Sequence, residues 1–522
     1  MSETFYVTTP IYYVNDAPHI GHSYTTIAAD VLARYHRLQG RKVRFLTGTD
    51  EHGIKIVKSA AEKGVTPEAL ADEVHVQFVD LWRDLNISND DFIRTTQPRH
   101  EKRVQEIIRR LLASDQIYLG TYEAWYDEGQ EEYVTENTAR DNEYKSAISG
   151  KPLVRYSENS YFFRLSKWIP ALREYILAHP EFIQPESRRN EVLSKLDQGV
   201  EDLSISRHRQ KLNWGVAMPN DPDHVVYVWI DALSNYYTAL GLPEVGDEFD
   251  GRDGGFWPAN LHLIGKDILW FHAVYWPCML LALGVELPQT VFAHGWWTSE
   301  GKKMSKSLGN FVSQDVIRGI CSEFSRDVYR YFVLREVPFG GDGDFSHAAL
   351  QLRYNTELAN DIGNLLSRTV NMIGRYFDAT VPTPQSKTPD GPEGQFLLSA
   401  AAKLGQEGPG LMARCQFSQY LQLVVDLASA TNRYIEVTSP FTLAKDPSQR
   451  ERLGTIMYCC GEAVRIVLSG LEPFMPEKAV EGLAMLGLDA AWQAPLSQRL
   501  EWGGLEPGKP VAKGSPLFPR KQ

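Results

Sequence analysis

Cysteine is scarce in this 522-residue sequence, and its five copies form no C-x-x-C pair. That spacing implies neither a zinc knuckle nor a disulfide framework. The sequence also lacks an uninterrupted apolar run of about 18 residues, the length that a membrane-spanning helix needs. Its start, MSETFYVTTP, has neither the charged nor the apolar part of a secretory signal. We therefore expect a cytoplasmic protein with reduced thiols and no membrane partner.

An excess of basic residues is also absent, because 54 Lys and Arg stand against 66 Asp and Glu, for a net charge of −12. Affinity for phosphate grows with local positive charge, so nonspecific coating of nucleic acid is disfavoured. A specific RNA partner is not excluded, since an acidic protein can present a basic surface. Candidate clusters are Ser187–Arg189, Arg207–Arg209 and Gly301–Lys303, and ordinary solvated charge explains the first two equally well.

The length and composition of the chain indicate a folded multidomain protein. Apolar residues make up 43% of the sequence and Trp occurs 12 times, whereas disordered chains lack the aromatic residues that bury a core. A chain of this length is too long for one ordinary core. We therefore expect three or four structural units.

The N-terminal segment alternates strand and helix patterns. Short apolar runs at Phe5–Thr8 and Val43–Gly48 predict strands, and apolar residues at helical spacing lie between them. This βαβ unit predicts an α/β fold with a doubly wound parallel sheet. In such sheets the ligand binds at the carboxyl ends of the strands.

Two further changes of pattern divide the chain. From about Tyr118 closely spaced aromatic residues and turns predict an inserted domain. Strand-like runs return at Val225–Ile230 and Leu261–Gly265, each followed by a helix-like stretch, so the sheet is predicted to be split around the insertion. After Leu350 the apolar positions keep helical spacing, which predicts a C-terminal helical bundle with a turn-rich tail.

Two short motifs stand out from this background. His19–His22 reads H-x-G-H at a strand-to-helix junction, where the helix amides add partial positive charge. Lys303–Ser307 reads KMSKS between two glycines, which is typical of a mobile loop. Read separately, they could be two packed histidines and a solvated basic hairpin. Their joint occurrence in this order favours one shared function.

The two motifs resemble the signature pair of class I aminoacyl-tRNA synthetases, and flanking segments are similar to the methionyl branch of that family. The similarity runs from residue 4 to beyond residue 445, so a borrowed module is disfavoured. The segments that carry it are Thr8–Asn15, Thr47–Gly53, Tyr227–Ala232 and Ile264–Ile268.

The resemblance implies a domain order for the whole chain. We expect a Rossmann-like catalytic domain in two halves and a region that contacts the tRNA stem and carries the KMSKS loop. The expected ranges are 1–117 for the first catalytic half, 118–222 for an inserted connective domain, 223–290 for the second catalytic half, 291–349 for the stem-contact region, and 350–522 for a helical anticodon-binding domain with a C-terminal tail.

The resemblance also implies an activity. Methionine would be activated with ATP to methionyl-adenylate, with release of pyrophosphate, and then transferred to the 3′-terminal adenosine of its tRNA, elongator or initiator. The growing charge on the phosphates calls for donors and cations, and Mg²⁺ would assist. The residues implied for catalysis are His19, His22, Lys303 and Lys306, and those for ATP binding are the same four with Gly21 and Asp267.

An aromatic pocket with one carboxylate is implied for the amino acid. Aromatic faces suit an unbranched thioether, and a Tyr hydroxyl or His N–H near the sulfur would favour methionine over aliphatic competitors. Asp50 would bind the α-ammonium group. The residues implied for the side-chain pocket are Ile11, Tyr13, Trp229, Ala232, Tyr236, Ile268, His272 and Trp276.

The anticodon would be read by Asn364 and Arg368, which lie one helical turn apart on one exposed face. Phe441 stands where bacterial relatives often have a Trp that stacks on the anticodon, and it keeps a stacking face without the indole donor. Asp127 and Gln130 replace one cysteine pair that binds zinc in many relatives, so no structural zinc and no other protein-bound metal is expected. We also expect a monomer.

Two other readings remain open from the sequence. One is a related enzyme, either a synthetase for another aliphatic amino acid or a small nucleotidyltransferase. The helical domain and the short insertion disfavour both. The other is a catalytically inactive, tRNA-binding scaffold paralogue. The intact motif residues His19, His22, Lys303 and Lys306 argue against it.

Overall fold

The computed structural model of this chain describes residues 3–130, 132–134, 136–246, 253–299, 311–488 and 494–521. Two compact units account for these residues. The first, the sheet unit, comprises Met1–Pro18, Val43–Arg83 and Ser88–His294. The second, the helical unit, comprises His19–Lys42, Asp84–Ile87 and Gly295–Gln522.

Fifteen strands are described. In chain order they are β1 (Thr4–Tyr13), β2 (Lys42–Asp50), β3 (Asp91–Arg94), β4 (Ile117–Asp127), β5 (Glu132–Val134), β6 (Val154–Phe163), β7 (Ile183–Gln184), β8 (Leu203–Ser204), β9 (Ser206–His208), β10 (Ala217–Met218), β11 (Asp221–Val226), β12 (Leu261–Gly265), β13 (Val291–His294), β14 (Trp297–Ser299) and β15 (Gly343–Phe345).

The helices are more numerous than the strands. They are α1 (Ile20–Leu38), α2 (Ile54–Lys63), α3 (Pro67–Asp84), α4 (Pro98–Ala113), α5 (Glu136–Asp141), α6 (Leu165–Ala178), α7 (Glu186–Leu196), α8 (Val228–Thr238), α9 (Trp276–Leu283), α10 (Gln314–Glu323), α11 (Arg326–Arg335), α12 (His347–Arg353), α13 (Asn364–Tyr376), α14 (Gly391–Ala413), α15 (Phe417–Thr438), α16 (Pro440–Leu443), α17 (Arg450–Leu471), α18 (Pro476–Met485) and α19 (Leu496–Arg499). Turns of 3₁₀ or π geometry occur at Lys266–Ile268, Phe271–Tyr275, Tyr354–Gly363 and Pro447–Gln449.

A six-stranded sheet in the order β3-β2-β1-β12-β13-β7 forms the centre of the sheet unit. Its registers are parallel, with Val7 opposite Leu261 where β1 meets β12. The order of the strands reverses between β1 and β12, and open sheets bind ligands at such a switch point. The predicted doubly wound α/β fold is confirmed.

The sheet differs from its prediction in two places. Val225–Ile230 is not one strand, because β11 ends at Val226 and α8 begins at Val228. A short apolar run fits a strand and a buried helix equally well, so the pattern could not separate them. β11 instead pairs with β9 and β10 in a small antiparallel sheet. The edge strand β7 comes from within the range predicted as the insertion and pairs with β13.

The helical unit is built around α17, which is buried along most of its length. Its Glu462 and Arg465 are fully buried and ion-paired, and Glu462 also accepts hydrogen bonds from the backbone of Gly503, Gly504 and Leu505. A segment from Pro447 to Leu471 is long and apolar enough to cross a membrane, but its apolar part is wholly buried in the protein. It is therefore a core helix. The C-terminal tail packs back on the bundle, where the carbonyl oxygens of Leu505 and Pro519 accept hydrogen bonds from Tyr458 and Tyr354.

Candidate active site

The carboxyl edge of the parallel sheet collects the predicted substrate residues of the sheet unit. β1 ends at Tyr13, β2 ends at the buried Asp50, and β12 ends at Gly265. The exposed Asp267 follows on a 3₁₀ turn. A Cβ on Gly265 would lie 2.5 Å from the Asp267 carboxylate, so glycine permits this close approach.

An aromatic cluster lies in the same unit. The half-buried Trp229 on α8 meets Tyr13 edge-on, with ring centroids 6.4 Å apart. The buried Tyr236, two turns further along α8, lies 5.6 Å from His272 and 6.1 Å from Trp276. These ring contacts involve five of the predicted pocket residues. Trp229 meets Tyr13, and Tyr236 meets His272 and Trp276. Ala232 is buried one turn after Trp229 on the same helix, and Ile11 and Ile268 are half-buried against the hydrophobic core of the sheet unit.

Two polar side chains of this cluster, Tyr236 and His272, are bonded to each other. Nδ1 of His272 lies 3.0 Å from the carbonyl oxygen of Ile268, which can only accept, so Nδ1 carries the proton. Burial lowers the pKa of His272 to about 4, so the ring is neutral and Nε2 is an acceptor. The Tyr236 hydroxyl, 2.7 Å away, therefore donates to Nε2. Contrary to the expectation from sequence, both protons are committed within the protein and neither is left for a thioether sulfur.

Two residues of this cluster were missed by the sequence analysis. Phe271 stacks on Trp229 with ring centroids 3.7 Å apart and planes within 7°. His262, on β12, lies against the Tyr236 ring at 4.3 Å and bonds to Thr8 Oγ1 at 2.7 Å. Burial holds the pKa of His262 well below its ordinary value, and so it is neutral. Phe271 directly precedes the predicted pocket residue His272. This position in the sequence was the signal that could have identified Phe271.

A second buried polar cluster follows Asp50. Asp231, on α8, accepts from His52 Nδ1 at 2.7 Å and from His100 Nε2 at 2.8 Å. His100 also bonds Thr238 Oγ1 at 2.7 Å. Asp231 and both histidines are buried. Asp231 and His52 lie inside the sequence segments that carry the family resemblance, which was the signal for them.

In the helical unit, His19 and His22 form a reciprocal cap at the start of α1. The backbone N–H of Gly21 donates to Nδ1 of His19 at 3.0 Å, and the backbone N–H of His19 donates to Nδ1 of His22 at 3.2 Å. The two rings lie 3.9 Å apart. A Cβ on Gly21 would lie 2.9 Å from the His19 ring, so glycine leaves room for the cap.

The cap fixes the chemical form of both rings. Each Nδ1 accepts a hydrogen bond from a backbone N–H, so a neutral ring carries its own proton on Nε2. Burial, with a smaller contribution from His19, lowers the pKa of His22 well below its ordinary value. The unfolded chain therefore protonates His22 more readily than the folded chain does. The cap's contribution to stability is therefore complete above about pH 6.5 and is lost as the pH falls.

The remaining predicted residues are distributed as follows. Lys303 and Lys306 lie outside the described residues. Asn364 is exposed and Arg368 half-buried, one turn apart on α13. Phe441 is half exposed on α16. Of the residues described above, the pair His19 and His22 belongs to the helical unit. The aromatic cluster and Asp50 belong to the sheet unit.

Comparison with known proteins agrees with this geometry. A family model described as class I tRNA synthetases (M) matches residues 5–370. The methionine–tRNA ligase of Caldanaerobacter subterraneus is 47% identical over all of this chain and 79% of its own length. That of Bacillus subtilis is 44% identical, with 99% and 78% covered. The chain belongs to the methionyl-tRNA synthetase family.

Solved structures support the same assignment. The methionyl-tRNA synthetase of Mycobacterium tuberculosis in complex with methionyl-adenylate superposes with a TM-score of 0.92 at 40% identity, covering 99% of this chain and all of that one. Its free form gives a TM-score of 0.86 at 38% identity. The predictions of family, fold class and enzyme class are confirmed. As a member of the methionyl-tRNA synthetase family, the chain is an aminoacyl-tRNA synthetase.

The cap at α1 yields a test that needs no substrate. In ¹⁵N-histidine spectra we expect His22 to carry its proton on Nε2 and to stay neutral at about pH 6, because protonating Nδ1 would break its bond to the backbone. A His22→Gln variant assigns the signal. A proton on Nδ1, or a doubly protonated ring at that pH, would contradict the capping arrangement.

Proposed function

We propose that this chain activates L-methionine with ATP to methionyl-adenylate and pyrophosphate, and then transfers methionine to the 3′-terminal adenosine of elongator and initiator tRNA(Met). The observation that carries the proposal is the aromatic cluster at the carboxyl edge of the sheet, with the buried carboxylate of Asp50 at the end of β2.

The amino-acid site is assigned to residues of the sheet unit. Asp50 binds the α-ammonium group, where a buried carboxylate gains from a positive partner. The thioether lies against aromatic faces such as Trp229 and Tyr13, since sulfur–aromatic contact stabilises it. The Tyr236–His272 bond pairs the hydroxyl with the imidazole, so an apolar side chain can enter without stranding either of these two groups. The other assigned residues are Ile11, Ala232, Ile268 and Trp276.

Nucleotide binding and catalysis are assigned to the motif residues. His19 and His22 each offer an Nε2–H donor to the charge that develops on the phosphates, and Gly21 and Asp267 complete the ATP contacts. Lys303 and Lys306 are assigned from the sequence alone and supply positive charge to the departing pyrophosphate. Mg²⁺ carried by ATP screens the phosphates.

Recognition of tRNA is assigned to the C-terminal helices. Asn364 and Arg368 read unstacked anticodon bases, and the half-exposed ring of Phe441 provides a stacking face. The domain roles predicted from sequence belong to the same proposal, namely the connective insertion at 118–222, the stem-contact region at 291–349 and the anticodon-binding domain at 350–522.

Methionine-dependent ATP–pyrophosphate exchange tests the first step. His19→Asn is the informative variant, because Asn is a strong helix N-cap and keeps the stability of α1 within about 0.5 kcal/mol. It lacks the Nε2–H donor, so we expect exchange to fall about 10²–10³-fold. Lys306→Ala should also lose exchange. Folded wild-type protein without exchange for any amino acid would favour the inactive scaffold instead.

The anticodon assignment separates the second step from the first. Arg368→Ala should lower kcat/KM for aminoacylation by about tenfold or more, since one base contact is worth about 1–3 kcal/mol, and leave pyrophosphate exchange unchanged. Arg375→Ala, at the last turn of the same helix, is the matched control. Equal aminoacylation by the Arg368 variant and wild type would contradict the assignment.

The residues at the zinc position do not fit a structural zinc site. Asp127 accepts hydrogen bonds from the backbone N–H groups of Gly129 and Gln130, at 2.9 and 3.2 Å, and so caps a turn. No group of three metal-binding side chains occurs among the residues that the structure describes. We propose a zinc-free, monomeric, cytoplasmic enzyme.

Metal analysis of the purified protein checks the absence of zinc, and light scattering checks the monomeric state. We expect far less than one zinc per chain, because the thiolates of a structural site are missing. Light scattering should give the mass of a single chain. Stoichiometric zinc or a stable dimer would overturn the corresponding statement.

A further inference from the structure

The segment after β2 is anchored to neighbouring elements of the sheet unit at successive residues. The backbone N–H of Glu51 donates to Thr95 Oγ1 at 3.0 Å, and the Glu51 carbonyl accepts from Trp214 Nε1 at 2.6 Å. The Glu51 carboxylate accepts from Arg94 at 2.7 Å and from Thr96 at 2.5 Å. Asp50 directly precedes this anchored residue, so its backbone has little freedom.

The next residue joins the segment to the pocket helix. His52 Nδ1 lies 2.7 Å from Asp231 Oδ2, and Asp231 lies on α8 between Trp229 and Ala232. The other carboxylate oxygen of Asp231 is held by His100 of α4. Asp231 therefore connects the segment that carries Asp50 with the helix that carries the aromatic residues.

The charges at this contact strengthen it. Burial raises the pKa of Asp231, but His52 and His100 more than offset this and lower it, so the carboxylate stays ionised. Burial lowers the pKa of His52, but Asp231, with smaller contributions from Glu101 and Glu51, raises it overall. Hydrogen bonds in which the acceptor is an ionised carboxylate are shorter and about twice as strong as neutral ones.

Methionine presents two groups that a binding site can recognise together, an ammonium and a thioether. We propose that Asp231 is a positioning residue for methionine. Asp231 acts through His52 to hold Asp50 at the correct distance from the aromatic residues of α8. This inference rests on the proposed function. Asp231 touches no substrate in this arrangement, and its effect passes through the Asp50 segment.

Asp231→Asn tests the role with little change of shape. The amide still accepts from one histidine but loses the charge and cannot serve both. In methionine-dependent pyrophosphate exchange we expect KM for methionine to rise about tenfold, the equivalent of one charge-assisted hydrogen bond. KM for ATP should stay within about twofold. A folded variant with an unchanged KM for methionine would overturn the inference.

A competitor without the ammonium group shows whether the effect passes through Asp50. 4-(Methylthio)butanoate keeps the thioether and the carboxylate but makes no contact with an ammonium site. Its inhibition constant against methionine should stay within about twofold in Asp231→Asn, because the aromatic pocket itself is intact. An increase equal to that of the methionine KM would indicate a collapsed pocket and contradict the positioning role.

Two further variants complete the test. Asp221→Asn is the matched control, since Asp221 accepts from His224 Nδ1 at 2.9 Å in the same unit but has no bond to the Asp50 segment. Its KM for methionine should equal that of wild type. His52→Gln replaces the ring that bonds to Asp231 and should raise KM for methionine at least about threefold, so it decides the matter if Asp231→Asn does not fold. Absence of exchange in wild type would contradict the proposed function, whereas wild-type exchange with unchanged variants would contradict this inference alone.

Discussion

Parallel pairing of β1 with β12 brings together segments that are 254 positions apart in the chain, as in the bond between Thr8 and His262. Because the strands run in one direction, their carboxyl ends meet at one edge of the sheet. Tyr13 and Asp50 end two of these strands, and Asp267 follows a third. Ile11 lies on β1 and Trp276 on α9, and the other residues of the proposed pocket lie on α8 and on the turns after β12. The location of the proposed methionine site thus depends first on backbone pairing.

Within this frame, the polar groups of Tyr236, His272, His19 and His22 are bonded within the protein. The Tyr236 hydroxyl donates to His272, which donates in turn to a backbone carbonyl. In the helical unit, backbone N–H groups occupy Nδ1 of His19 and of His22. Unpaired polar groups would be costly to bury, so these bonds stabilise the fold. They also determine which ring nitrogen carries a proton.

The sequence predicted the features that depend on local pattern. The histidine motif lies at the start of a helix, and Asp50 lies at the end of a strand, as their neighbours in the chain indicated. Trp229 was placed in a strand but lies in α8, because a short apolar run does not distinguish the two. The contacts of Asp231 were not foreseen, since its partners His52 and His100 lie 179 and 131 positions away. Pairing at such distances is set by the tertiary fold and leaves no periodic signal.

The proposed function depends on a methionine site formed by the aromatic cluster and Asp50. Equilibrium dialysis with radiolabelled methionine tests it most directly, with norleucine, in which a methylene replaces the sulfur, as the competitor. We expect saturable binding of one methionine per chain and norleucine binding about 2- to 10-fold weaker, the difference that sulfur–aromatic contact supplies. Binding that does not saturate, or norleucine competing as well as methionine itself, would contradict it.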